Sequence, residues 1–328
     1  MKNVIIYLVL IITLIVSCSK NEENKIDNYT KINVGYLSDF AGASAVSVAK
    51  EKGFFEEENL DVELFKFFNG PAEIASLISK ELDFAYIGHG AHYHAIIGKV
   101  QVLFPNGISK AEKIMAGKWA NIKTINDLRR KTVATHLGTS GQIILDIALQ
   151  KANINHNEIN ITNINITNLA NAFINRKVDA VSIWAPYTAD IISKMSNQYI
   201  ILASTQDFSD DVTFTSSFIT TKNYINEYPD IVKRFSKAIL KAMDYRKDNI
   251  EETVLLVAEL TGNNIELVNS EIDTGEWFTS KDLKNACENG TILKWYETQQ
   301  KVFLNTDVIK ESIAITNYLE LEILKSIL

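Results

Sequence analysis

Two stretches decide the fold because they can be laid over each other: Leu77…Lys80-Glu81-Leu82-Asp83-Phe84-Ala85 and Phe173…Arg176-Lys177-Val178-Asp179-Ala180-Val181. In each, the end of an amphipathic helix is followed by a basic residue, an aliphatic, an aspartate and a short apolar run. The aspartates, Asp83 and Asp179, suit the satisfaction of turn donors where a helix hands over to its strand. Working outward from Asp83, Ile32–Tyr36 reads as a strand. Ala45, Val48 and Ala49 then recur at helical spacing until Gly53. Val62–Phe68 is a second strand, Pro71 opens a helix carrying Ile74, Leu77 and Ile78 on one face, and Leu82–Ile87 is a third strand. Around Asp179 the same order returns, with strands at Thr132–Thr135, Ile159–Ile166 and Val178–Trp184 and helices at Gly141–Lys151 and Leu169–Asn175. A β-α-β-α-β order implies parallel strands with helical crossovers, so the chain is expected to be α/β with two related Rossmann-like lobes. Beyond Phe218–Thr220 the pattern turns helical, with segments at Pro229–Tyr245, Glu251–Leu260, Lys281–Cys287 and Lys294–Asn305 expected to complete the first lobe.

The composition permits this reading and excludes others. The 328 residues are 46% hydrophobic and 22% charged, which is globular rather than disordered. With 33 basic and 40 acidic residues the net charge is −7, so no cationic field exists to hold a phosphate backbone, and nucleic acid is not an expected partner. Charge is unevenly placed. Residues 1–17 hold only Lys2, followed by the apolar run Val4–Val16, which is short for a membrane span and fits the h-region of a signal peptide. The run ends in Ile15-Val16-Ser17-Cys18, which resembles a bacterial lipoprotein signal. That resemblance implies cleavage before Cys18, diacylglycerol on its thiol, a polar tether over 18–30, and an extracytoplasmic body anchored to the cell membrane. With Cys18 acylated, Cys287 has no partner for an intrachain disulfide.

In open parallel sheets, ligands sit beyond the carboxyl ends of the strands. The loops to inspect are therefore Leu37–Ser44, Gly88–His94, Leu137–Gly141 and Trp184–Tyr187. His136-Leu137-Gly138-Thr139-Ser140-Gly141-Gln142 joins a strand to an amphipathic helix. Its glycines admit a ligand to the backbone, Ser140 can cap the helix, and the free N–H groups favour an anion. Gly88-His89-Gly90-Ala91-His92-Tyr93-His94 occupies the matching place in the first lobe. His89 and His92, with His136, form an alternative metal set, although no His-x-x-x-His, Cys pair or clustered carboxylate completes it. Tyr36, Phe40, Tyr93, Trp184, Tyr187 and Phe214 accompany Ser38, Thr213, Thr215 and Ser216 near the crevice. Apolar walls with hydroxyl donors suit a small organic anion. No nucleophile elbow, no paired-carboxylate segment and no dinucleotide Gly-x-Gly-x-x-Gly is present, so nothing supports an enzyme or a bound cofactor.

Taken in order, Ala49–Phe55, Asn69–Ala72, Leu82–Ala85, Ile125–Ala134, Gly138–Ser140 and Val178–Tyr187 resemble the substrate-binding lipoproteins of ABC importers for aliphatic sulfonates, nitrate and taurine, with relatives that bind a thiamin-precursor pyrimidine. The resemblance runs from about Lys31 to Asp248. It implies a bilobed type II periplasmic-binding fold, with lobe 1 over 31–117 and 221–328, lobe 2 over 118–220, and crossings near Gly117–Ile122 and Ser216–Thr220. Carried over by position, it places the pocket on Ser38, Phe40, Gly88, His89, Gly138, Thr139, Ser140, Trp184 and Thr215. It implies a monomer that delivers a small organic anion, an aliphatic sulfonate first, to permease and ATPase subunits. Nitrate, taurine, a pyrimidine, a metal receptor and a small-carboxylate lyase on the same scaffold are the alternatives. Ala185 stands where many members carry an acidic residue before Pro-Tyr or Pro-Phe, and with the His-rich loop this tilts the expectation towards an anion.

Overall fold

A computed structural model describes residues 29–328. The expected signal peptide over 1–17 and Cys18 lie outside the described residues. So does the expected tether, apart from Tyr29 and Thr30, and Thr30 already pairs with Leu60. Among the described residues no helix is long and apolar enough to cross a membrane.

The first lobe starts with β1 (Thr30–Leu37), α1 (Phe40–Glu51), β2 (Leu60–Phe67), α2 (Gly70–Ile78) and β3 (Ala85–Ile87). β1 runs parallel to β2 in a register that sets Val34 beside Leu64, and its other edge meets the β3 approach through Val34 and Phe84. After β4 (Gln101–Ser109) the chain crosses to the second lobe. There β5 (Lys113–Gly117), β6 (Thr132–Thr135), α3 (Ser140–Lys151), β7 (Asn160–Asn163), α4 (Ile166–Ile174), β8 (Ala180–Ile183), α5 (Tyr187–Met195) and β9 (Tyr199–Ser204) follow. It returns with β10 (Thr215–Thr220), α6 (Pro229–Asp248), α7 (Ile250–Thr261), α8 (Ile265–Glu271), β11 (Gly275–Trp277), α9 (Ser280–Glu288) and α10 (Thr291–Asn305).

The spatial strand orders are β2-β1-β3-β10-β4-β11 and β7-β6-β8-β5-β9. In each lobe three parallel strands meet a fourth that arrives antiparallel from the far side of a crossing: β10 beside β3, and β5 beside β8. The duplication expected from the two aspartates is thus a duplication of topology. The aspartates do equivalent work, because Asn33 N–H donates to Asp83 Oδ2 at 2.8 Å and Thr132 N–H donates to Asp179 Oδ2 at 2.9 Å.

One expectation is corrected by the sheets. β5 belongs to the second sheet and β10 to the first, so the chain changes lobes within Lys110–Glu112 and again within Thr205–Phe214. The segments Gly117–Ile122 and Ser216–Thr220 are not the crossings, and Lys113–Gly117 and Thr215–Thr220 each belong to the opposite lobe from the one expected. The strands that carry the change are interior to sheets and buried, so sequence period alone places them in either lobe. At the crossings, Ser109 N–H donates to the Phe214 carbonyl at 2.8 Å, which ties the two connections together.

Apolar burial fixes both lobes. In the first, Phe84 stacks on Phe235 of α6 at 3.9 Å between centroids, with Phe218 edge-on to the same ring, so the C-terminal helices cover the sheet. In the second, Phe173 of α4 is fully buried and packs against Trp119 at 5.3 Å.

Candidate functional site: a closed crevice between the lobes

The loops after β3 and β6 meet across the crevice. Gly90 lies so close to the Thr139–Ser140 peptide that an added Cβ would be 2.1 Å from the Thr139 carbonyl carbon, and a Cβ on Gly138 would sit 3.2 Å from Pro71 Cγ. This closed contact leaves a cavity of about 50 Å³ lined from both lobes. A single water needs about 10–15 Å³, so the space suits a ligand of few non-hydrogen atoms.

Of the residues expected to form the pocket, Gly88, His89, Gly138, Thr139, Ser140 and Trp184 line this cavity. Ser38, Phe40 and Thr215 do not. Phe40 is buried against Trp277 at 5.3 Å, and Thr215 is buried and accepts a hydrogen bond from Gln299 Nε2. Trp277 takes the wall position that Phe40 was expected to hold.

The α3 terminus is built differently from the expected cap. Thr139 holds the N-cap position and makes no cap bond, its hydroxyl donating instead to the His136 carbonyl at 2.6 Å. Gly138 N–H donates to Gln142 Oε1 at 2.8 Å. Ser140 is the first residue of the helix, and near it stands Glu112, which lines the cavity and accepts from Ser109 Oγ at 3.0 and 2.9 Å. A carboxylate of the protein's own therefore stands beside the helix terminus read as an anion cradle.

Two more carboxyls complete the polar lining. Asp39 caps α1, its Oδ1 accepting from Gly42 N–H at 2.8 Å. Glu271 Oε2 accepts from Phe40 N–H at 2.8 Å, while its Oε1 is buried without a partner. Burial pushes Glu271 up to about 8, with Asp39 adding to it. Burial likewise raises Asp39 to about 6, with Glu112 adding to it, and raises Glu112 itself. No lysine or arginine is among the lining residues. Three acids from separate parts of the chain thus face a cavity in which Ala185 itself is neutral. Sequence reasoning passed over all three: Asp39 had an N-cap pattern that could have been read, whereas Glu112 and Glu271 carry no local signal.

His92 and His136 are held by protein contacts, whereas His89 lines the cavity with its Nε2 buried and unpartnered. His92 Nδ1 donates to the Gly88 and His89 carbonyls at 3.1 Å, and Ser217 Oγ donates to its Nε2 at 2.8 Å. His89 Nδ1 accepts from Gln299 Nε2 at 3.0 Å and its ring stacks on Phe214 at 4.3 Å; burial first, and His92 second, hold it neutral. His136 Nδ1 donates to the Ile164 carbonyl at 3.1 Å. His89, His92 and His136 do not converge, and among the described residues no group of three His, Cys, Asp or Glu side chains could hold a metal ion.

The sequence model of the NMT1/THI5 like family matches residues 42–253, which includes both cavity-forming loops and both crossings. The chain belongs to that family. Among the relatives of this NMT1/THI5-like chain, a protein of Brucella abortus (strain 2308) named as a binding protein is 29% identical over 88% of this chain and 89% of its own. One of Bacillus subtilis (strain 168), named for binding aliphatic sulfonates, is 28% identical over 79% of both. The alkanesulfonate-binding protein SsuA of Xanthomonas axonopodis pv. citri, solved with MOPS, superposes with a TM-score of 0.70 at 16% identity, covering 88% of this chain and 97% of that one. The desulfurization enzyme DszB also superposes, with a TM-score of 0.62 at 12% identity, covering 90% and 98%. The NMT1/THI5-like chain has the bilobed type II periplasmic-binding fold that the family resemblance implied, in agreement with its duplicated topology.

Proposed function

We propose that this protein is the extracytoplasmic substrate-binding component of an ABC importer, closing its lobes over a small organic solute and presenting it to permease and ATPase subunits. The observation that carries this reading is the backbone contact of Gly90 with Thr139 over a buried cavity lined from both lobes. Contacts to both lobes exist only in the closed state, so a ligand that makes them shifts the population towards closure. An aliphatic sulfonate is the first candidate on the names of the relatives. Its oxygens would meet the free N–H groups of the α3 terminus. Cys18 supplies the lipid tether that holds the monomer at the membrane.

Calorimetry of the mature protein against sulfonates, nitrate, taurine and pyrimidines, with small-angle scattering to follow closure, tests the reading. Binding with a fall in radius of gyration is expected. Turnover of a bound compound without retention would overturn it. Membrane release on Cys18→Ala tests the tether.

A further inference from the structure

The charge of the cavity goes further than its shape. Asp39, Glu112 and Glu271 face it from three separate parts of the chain, and no cationic side chain lines it. Glu112 has its partner in Ser109. Asp39 and Glu271 share one helix terminus, Asp39 as the cap of α1 and Glu271 on the N–H of Phe40. A single terminus favours about half a negative charge, so it cannot hold two carboxylates at ease. Glu271 is only 2% exposed, yet its Oε1 has no hydrogen-bond partner. A buried carboxyl oxygen left in this way, ionised or protonated, costs free energy unless a ligand supplies its partner, and a cationic ligand does so by taking the place of the Glu271 proton.

No nearby group of the protein takes that place. Glu73, wholly buried against Gly35, adds another acid whose carboxyl burial keeps protonated. Burial keeps the phenols of Tyr86 and Tyr187 protonated and His89 neutral. Arg246 spends its Nη1 and Nη2 donors on Ser44, Asn106 and the Phe278 carbonyl, and lies 5.6 Å from the Trp277 ring rather than in the lining. Lys113, next to Glu112, is also absent from the lining. A purely anionic ligand would add a further negative charge to this set.

We infer that the ligand carries a protonated nitrogen, an amine or amidine, which sits between the carboxylates of Asp39 and Glu271 beside Trp277, with any anionic end of the same molecule turned towards α3. The inference rests on the binding reading above and names the chemical class that this site selects. The shared chemistry belongs equally to a simple organic cation and to a zwitterion such as an aminosulfonate.

The test is a thermal-shift and calorimetric comparison on the mature protein. It uses small amines, amidines and aminated acids, taurine among them, each matched to its amine-free counterpart, such as ethanesulfonate for taurine. Stabilisation by aminated members only is expected, and simple amines against aminosulfonates then separate cation from zwitterion. Equal binding of the amine-free partners overturns the inference while leaving the binding-protein reading intact. Binding by neither class overturns both. Glu271→Gln, which keeps an acceptor for Phe40 N–H, should weaken the best aminated probe about tenfold or more; an unchanged affinity counts against the inference. At pH 7 the cation should drive off the Glu271 proton, so calorimetry in two buffers of different ionisation enthalpy should show proton release. Release of none, or uptake, overturns it.

Discussion

Gly90 and Thr139 meet backbone to backbone across the crevice, and the space between them has no room for a methyl group. The lobes can close only because position 90 lacks a Cβ. Gly90→Ala should therefore leave each lobe folded, with a melting temperature near that of the parent, while holding the crevice open. Scattering should show no ligand-induced contraction, and affinity should fall by roughly tenfold or more, since closure provides the contacts to the second lobe.

Asp83 and Asp179 hold equivalent backbone donors in the two lobes, at Asn33 and Thr132. Replacing either by Ala leaves a part-buried N–H unpaired, at a cost of about 1–3 kcal/mol. The two losses should add, because the sites lie in different lobes. Urea denaturation of the single and double variants measures both.

The ligand-free protein should lose stability as pH rises. Glu271 and Asp39 have folded values raised to about 8 and about 6, above the ordinary carboxyl range near 4. For a raised group the folded state holds the proton more tightly than the unfolded chain. Its contribution is complete below about pH 4 and lost as pH rises through the folded value. Melting temperature should thus decline from about pH 4 to 8, and Glu271→Gln should flatten the upper part of that decline.

His92 is held at all its ring nitrogens, and Ser217, which donates to it, accepts in turn from the Tyr296 hydroxyl at 2.7 Å. Removing the imidazole by His92→Ala breaks a buried network and should cost about 2–4 kcal/mol. Chelator should leave the melting temperature of the parent unchanged, because no metal is expected to join these rings. A drop on chelation, restored by zinc, would revive the metal reading.

Much of the fold was legible in the sequence because both lobes state the same local rule. An apolar helical face, a basic residue and an aspartate precede each central strand, at Asp83 and at Asp179. Gly88, His89 and Gly138–Ser140 were legible as well, since ligand loops follow strand ends wherever parallel strands do. Period and turn chemistry are local, so a linear reading recovers them.

The tertiary structure decided where the chain changes lobes and what charge the crevice has. β5 and β10 are short buried runs with no period that favours one sheet, and only pairing with β8 and with β3 and β4 assigns them. Glu271 reaches the α1 terminus from 231 positions beyond Phe40, carried there by helices that fold back over the first sheet. Glu112 arrives through a crossing. Local pattern alone determined two lobes and the loops between them, and the glycines of those loops pointed to an anion. Long-range packing set three carboxyls around that place, because the field in a buried site is the sum of groups the chain brings together from a distance.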